Sequence, residues 1–267
     1  MTGMSLHTRE WEPDEPPKAV IGLVHGLGEH SGRYGPVAAR FTAAGYAVCA
    51  FDLRGHGASG GRRGDTRFTD AFDDIDRLLA DAAARLPDRP RFLYGHSLGG
   101  LLVLAYTLAR RPAVAGAVAS GPALHNALRE QKAKVLAVRL LGPVLPKLAL
   151  PSGLDDRLIS RDPAVVAAYR ADPLNHDRAT LGFALDALRT ADTVLAAAGE
   201  FPVPLLLIHG GGDRITYPSG SRAVADALGP QRCTLIVYDG LFHEVHNEPE
   251  RDRVLDDVVA WLDGRLA

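Results

Sequence analysis

Short apolar runs alternate with amphipathic stretches along most of this chain, and no other feature limits its fold as much. Ala19-Val-Ile-Gly-Leu-Val24 and Tyr46-Ala-Val-Cys-Ala-Phe51 are apolar runs of strand length, with a stretch between them, Val37 to Ala44, that can form a helix. Phe72, Ile75, Leu78, Leu79 and Leu86 recur at helical spacing and are stopped by Pro87. A strand at Arg91 to Tyr94, a helix from Leu98 to about Ala109 and a strand at Val114 to Ala119 continue the series. Further strands follow at Val203 to Ile208 and Thr234 to Tyr238. A last helix is signalled by Asn247 as cap, Glu250 three residues on, and a buried face of Val254, Leu255, Val258, Val259 and Leu262. Such an order predicts a mostly parallel sheet covered by helices on both faces.

One stretch interrupts it. From about Leu124 to Gly199 the chain reads as several helices broken at Gly142-Pro143, Pro146, Pro151 and Pro163. The expected organisation is therefore a core made of residues 1–123 and 200–267, with a helical cap, 124–199, inserted before the last strands. Within it, Val135 to Leu150 has only Arg139 and Lys147 as charges. That much apolar surface suits a greasy substrate under the cap, and helix packing onto the core accounts for it equally well.

Composition narrows the function classes. The net charge is -2, from 30 basic and 32 acidic residues spread along the chain, so a nucleic-acid backbone finds no basic patch. The two cysteines, Cys49 and Cys233, lie in strand-like apolar runs and read as buried free thiols. Met1-Thr-Gly-Met-Ser5 shows no basic region followed by an apolar run, and no stretch of 18 apolar residues occurs, so the expected location is cytoplasmic.

The chemistry is signalled by Gly95-His-Ser-Leu-Gly99, which stands where a strand ends and a helix begins. A serine on that sharp turn exposes its hydroxyl at the carboxyl edge of the sheet, and the flanking glycines relieve the crowding. A serine hydroxyl needs a base, which makes Ser97 the candidate nucleophile and a histidine its required partner. Of ten histidines, His243 follows the last strand in the loop Asp239-Gly-Leu-Phe-His-Glu, at the same sheet edge. Asp213, after His209-Gly-Gly-Gly, completes the chain order Ser, Asp, His. Asp239 is the rival acid, but Asp239-Gly240 is already explained as a turn. For the oxyanion of an acyl-transfer intermediate, two backbone N–H groups are candidates. Leu98 starts the helix after the nucleophile, and Leu27 lies in the loop after the first apolar strand, His25-Gly-Leu-Gly-Glu-His30.

His25-Gly-Leu-Gly-Glu-His-Ser-Gly-Arg-Tyr34, Asp52-Leu-Arg-Gly-His-Gly-Ala-Ser59, Gly95-His-Ser-Leu-Gly-Gly100, Gly212-Asp-Arg-Ile215 and Phe242-His-Glu-Val-His246 together resemble the monoacylglycerol lipase family, over nearly the whole chain. The resemblance implies the α/β-hydrolase fold, a catalytic set of Ser97, Asp213 and His243, oxyanion donors Leu27 and Leu98, and no metal or organic cofactor. It also implies that Glu29, Arg33 and His246 line the glycerol end of the substrate site. Without it, a Glu–Arg pair on a loop reads equally well as structural. Asp52, Arg54 and His56 read as braces beneath the nucleophile. Mammalian members carry a cysteine shortly after the acid, where this chain has Thr216, so their thiol sensitivity is not expected here.

The expected function is hydrolysis of a monoacylglycerol to glycerol and fatty acid through an acyl-enzyme. A lysophospholipase or general carboxylesterase would use the same residues. A silent ligand-binding module is the rival from another class. The expected partner is a small lipid ester, with no nucleic acid, and transient contact with a membrane surface through the cap is left open.

Overall fold

The computed structural model describes residues 5–266; Met1–Met4, on which the signal-peptide reading rests, and Ala267 lie outside the described residues. The elements in chain order are β1 (Thr8–Trp11), β2 (Ala19–Val24), α1 (Gly35–Ala43), β3 (Tyr46–Phe51), α2 (Phe68–Arg85), β4 (Arg91–His96), α3 (Leu98–Arg110) and β5 (Gly116–Ser120). They continue with α4 (Ala127–Glu130), α5 (Lys132–Leu141), β6 (Ala149–Pro151), α6 (Pro163–Ala171), β7 (Arg178–Thr180) and α7 (Leu181–Ala197). The chain closes with β8 (Leu205–Gly210), α8 (Pro218–Leu228), β9 (Cys233–Tyr238) and α9 (Arg251–Asp263).

Seven strands form one sheet in the order β1-β3-β2-β4-β5-β8-β9, parallel except for β1, which pairs antiparallel with β3 at the edge. The central strands are buried on both faces because their neighbours alternate. Ile21, Leu23, Phe92, Tyr94, Val118 and Ile208 pack under α1 and α9, whereas Val20, Val24, Leu93, Ala117 and Leu207 pack under α2, α3 and α7. Each fully buried aliphatic or aromatic side chain contributes about 1.5–3 kcal/mol, so the sheet and the helices on it form the stabilising core. Cys49 and Cys233 are buried and free within it, and burial pushes both thiols up to about 12. Among the described residues no helix is long and apolar enough to cross a membrane.

The sequence reading places the periodic elements within a few residues of their observed ends. It misses β1, a half-exposed edge strand with charged residues, and the small β6–β7 hairpin. It also misplaces the start of the last helix. Asn247 does not cap α9; it sits in a 3-10 turn where its Nδ2 donates to Glu244 Oε2 at 2.7 Å, and the helix begins after Pro249 with Glu250 at its N-cap. The side chain that would cap the helix is drawn to a carboxylate instead.

Between β5 and β8 the helices divide their loyalties. Phe183, Ala191 and Val194 of α7 join the main core, and Leu181, Leu185 and Leu188 pack with Val138 of α5 in a small cluster of their own. Val135 packs against that cluster, and most of the remaining apolar run faces outward: Leu136 is 57 %, Leu140 64 % and Val144 73 % exposed.

Candidate active site

Every element that carries a site residue ends at the carboxyl edge of the sheet. Ser97 joins β4 to α3 with φ 54°, a backbone conformation that a non-glycine residue adopts only when its surroundings enforce it. The enforcement is visible in two glycines. A Cβ on Gly95 would lie 2.2 Å from the Gly99 carbonyl oxygen, and one on Gly99 would lie 2.0 Å from the Val24 carbonyl oxygen. The turn is therefore closed by backbone packing, with Ser97 N–H donating to the Ser120 carbonyl at 2.8 Å.

His243 and Asp213 meet from neighbouring strand ends. His243 Nδ1 lies 2.7 Å from Asp213 Oδ2, and both residues are buried. Asp213 is well supplied with donors. Its Oδ1 accepts the Ile215 and Thr216 N–H groups at 2.8 and 3.0 Å, and its Oδ2 also accepts the Thr216 hydroxyl at 2.9 Å and faces His209 Nε2 at 3.2 Å. Burial opposes ionisation of Asp213, but the His243 charge and these hydrogen bonds outweigh it and hold the carboxyl far below its usual range. Burial likewise opposes the imidazolium of His243, and the Asp213 carboxylate outweighs it, so the His243 pKa is raised above 6.5. Asp239, the rival acid, is exposed in its turn with Gly240 at φ +72°.

Ser97 and His243 line one cavity with Leu27, without a hydrogen bond between hydroxyl and imidazole. Such bonds are often long before substrate is bound. Among the described residues neither the Leu27 nor the Leu98 N–H is engaged in a hydrogen bond, which leaves two donors free beside the serine. Gly26 N–H, by contrast, is consumed by Glu29 Oε1 at 2.6 Å, and this bond shapes the loop that presents Leu27.

The three residues that the resemblance places at the glycerol end do not share one position. Glu29 reaches the cavity wall; Arg33 and His246 stand behind it. Arg33 pairs with Glu29 and, bidentately at 2.7 and 2.8 Å, with Glu244. His246 is buried between the Tyr34 ring at 5.2 Å and the His96 ring at 4.7 Å, and burial lowers its pKa to about 4. The sequence reading misses Glu244, Tyr169, Leu154 and Ile159 on the wall, because their place depends on contacts between distant segments. It also misses His209 and Thr216 as partners of Asp213; the Asp213–Thr216 spacing of three is the one local signal. Asp52 and Arg54, read as braces, each have partners in other segments. Asp52 accepts the Ser31 and Ala58 N–H groups, both at 2.8 Å, and Arg54 is bidentate to Asp74.

The cavity measures about 10 Å³, close to the room one water needs. The stretch 154–180 narrows it and is stitched to the site loops. Gly28 carbonyl accepts the His176 N–H at 2.9 Å, His30 Nε2 lies 2.9 Å from Asp172 Oδ2, and Glu244 N–H donates to Ile159 carbonyl at 2.7 Å. Leu154, Ile159 and Tyr169 line the cavity, and none of Val135–Leu150 does. Of the two sequence readings of that run, the packing surface applies to Val138, which is buried, and Val135, which is partly buried against the same cluster.

The family model described as serine aminopeptidase, S33, matches residues 15–250. The monoacylglycerol lipase of Mycolicibacterium smegmatis is 42 % identical over 96 % of this chain and 92 % of its own. The human monoglyceride lipase is 36 % identical over 99 % of this chain and 89 % of its own. The crystal structure of the Paleococcus ferrophilus monoacylglycerol lipase superposes with a TM-score of 0.91 at 36 % identity, covering 98 % of this chain and 100 % of that one. With a mostly parallel seven-stranded sheet and relatives of this kind over nearly its whole length, the chain belongs to the monoacylglycerol lipase family of α/β-hydrolases.

Proposed function

We propose that this protein hydrolyses monoacylglycerols to glycerol and free fatty acid, with Ser97 as nucleophile, His243 as general base and Asp213 as the acid that orients it. The observation that carries the assignment is the Asp213–His243 pair at 2.7 Å, sharing one cavity with a serine held at φ 54° beside two free N–H groups.

Ser97 Oγ attacks the ester carbonyl as its proton passes to His243 Nε2, and the carbonyl oxygen becomes an oxyanion held by the Leu27 and Leu98 N–H groups. The C–O bond to glycerol breaks, and His243 returns the proton to the departing glycerol oxygen. Water then attacks the acyl-Ser97 ester, losing its proton to His243. Collapse of the second intermediate releases the fatty acid and reprotonates Ser97. Asp213 stays ionised throughout, holding Nδ1–H and stabilising the imidazolium. Removing one donor of such an oxyanion site costs ~10²–10³ in turnover, and removing the nucleophile or base costs more.

In this proposal residues 124–199 form a cap that must move before an acyl chain enters, since the cavity has room for about one water. The outward face of that cap, with Leu136, Leu140, Leu141, Val144, Leu145 and Leu148 all at least 44 % exposed, is the surface that meets a lipid layer. Lys132, Lys134, Arg139 and Lys147 flank these residues with no acid among them, which suits an anionic layer. Product analysis on mono-, di- and triacylglycerols and lysophospholipid of one acyl chain tests the assignment. Release of fatty acid from monoacylglycerol, faster than from the others and absent in folded Ser97→Ala, is the expected result. Equal rates on diacylglycerol refute the monoacyl preference, and turnover by Ser97→Ala refutes the nucleophile.

A further inference from the structure

Glu244 follows the imidazole directly in sequence, is 3 % exposed and lines the same cavity as Ser97. Arg33 binds it bidentately, and Asn247 Nδ2 donates to its Oε2 at 2.7 Å. The same Arg33 is paired with Glu29, the other carboxylate on the wall. One guanidinium thus stands behind two carboxylates, and among the residues that line the cavity none is a lysine or arginine. Of the histidines around it, His96 is held well below its usual range by burial and His246 at about 4, which leaves the His243 base as the one imidazole on the wall that takes up a proton. Arg33 has no guanidinium face to spare for a ligand, since Nη1 and Nη2 are committed to the carboxylates and the group lies 4.8 Å from the Tyr169 ring.

We propose that Glu244 determines which alcohols this site releases: with Glu29 it makes the polar end of the pocket net negative, so that esters of neutral polyols are accepted and esters whose alcohol carries a phosphate are rejected. The inference rests on the ester-hydrolase reading given above, and adds the discrimination between glycerol and phosphoglycerol leaving groups. A phosphate in this cavity would find no free lysine or arginine and would approach two carboxylates where little water screens the repulsion. Neutral hydroxyls instead find carboxylate oxygens able to accept their hydrogen bonds. Excluding the wrong substrate by repulsion is a common source of specificity.

The experiment compares kcat/KM for 1-octanoylglycerol and 1-octanoylglycerol 3-phosphate, both below micelle-forming concentrations, in the wild type, Glu244→Gln and Glu244→Asp. The wild type is expected to prefer the neutral ester by ~100-fold, and Glu244→Gln to narrow that ratio ~10-fold, chiefly by lowering KM for the phosphate ester. Glu244→Asp keeps the charge and should keep most of the preference. An unchanged ratio in folded Glu244→Gln overturns the inference. So does equal turnover of both esters by the wild type, a result that needs no variant to fold. A wild type that cleaves neither ester overturns the monoacylglycerol reading along with this one, whereas turnover of 1-octanoylglycerol with a ratio indifferent to residue 244 overturns this one alone.

Discussion

Asp213 accepts two backbone N–H groups on one oxygen and His243, Thr216 and His209 around the other, so its carboxylate is both ionised and unable to rotate. Replacing it with asparagine keeps the shape and removes the charge. Asp213→Asn is therefore expected to lower kcat by ~10³–10⁴, against a change of less than about threefold for the exposed Asp239→Asn. Steady-state kinetics on a soluble short-chain ester checks both; comparable losses would move the acid to the wrong strand end. The pH dependence follows from the same pair. The competent imidazole is neutral and its pKa is raised, so kcat/KM should fall as pH drops through a midpoint above 6.5. The groups facing His243 are Asp213, Glu244, Glu29, His96 and His246. Removing the Asp213 charge should move the midpoint of the acid limb down. A midpoint that stays put would mean that the limb reports another group. At this scale the sequence was readable where chemistry and local turn geometry coincide, as at Ser97, Asp213 and His243. It was silent on Glu244, read His209 only as a histidine able to brace a site without naming Asp213 as its partner, and took from the resemblance a place on the wall for Arg33 and His246, which stand behind it.

Among the elements, the six parallel strands and helices α1, α2, α3 and α9 were legible from their apolar runs and periodicity, whereas the edge strand β1 and helix α8 were not. Ile75 of α2 and Val258 of α9 are fully buried, and the periodicity announces both. Ile75→Ala should cost about 2–5 kcal/mol, read from denaturant midpoints at constant m-value. The segment between β5 and β8 was not legible in the same way. Its α5 helix buries Val138 alone and leaves most of its leucines outside, so apolar content there does not mean core. Substituting two exposed apolar residues of this run is the matching experiment. Leu140→Asp with Val144→Asp should alter stability by no more than about 1 kcal/mol, because both sites are already exposed. The same pair should leave monomeric short-chain esters unaffected while weakening sedimentation with anionic vesicles and turnover of vesicle-borne monoacylglycerol. Equal binding by the variant and the wild type would remove the lipid-surface role from this face.

At the scale of the whole molecule, one sheet brings the candidate site residues to its carboxyl edge, and the stretch 154–180 lies over them with room for about one water. That stretch is tied to the loop that presents Leu27 through Gly28 and His30. The order of apolar runs foretold the sheet and the edge at which the site lies. The placement of 154–180 could not be foretold, because it depends on backbone contacts such as His176 to Gly28, which leave no pattern in side-chain type. The central claim is that Ser97 carries the acyl group during monoacylglycerol turnover. Its most direct test is peptide mass spectrometry of enzyme acid-quenched while hydrolysing 1-oleoylglycerol, with Ser97→Ala as control. An oleoyl adduct confined to the peptide containing Ser97, and missing from the Ser97→Ala protein along with turnover, is the result expected here; steady turnover with no acyl adduct on Ser97, or with the adduct on another residue, would contradict it.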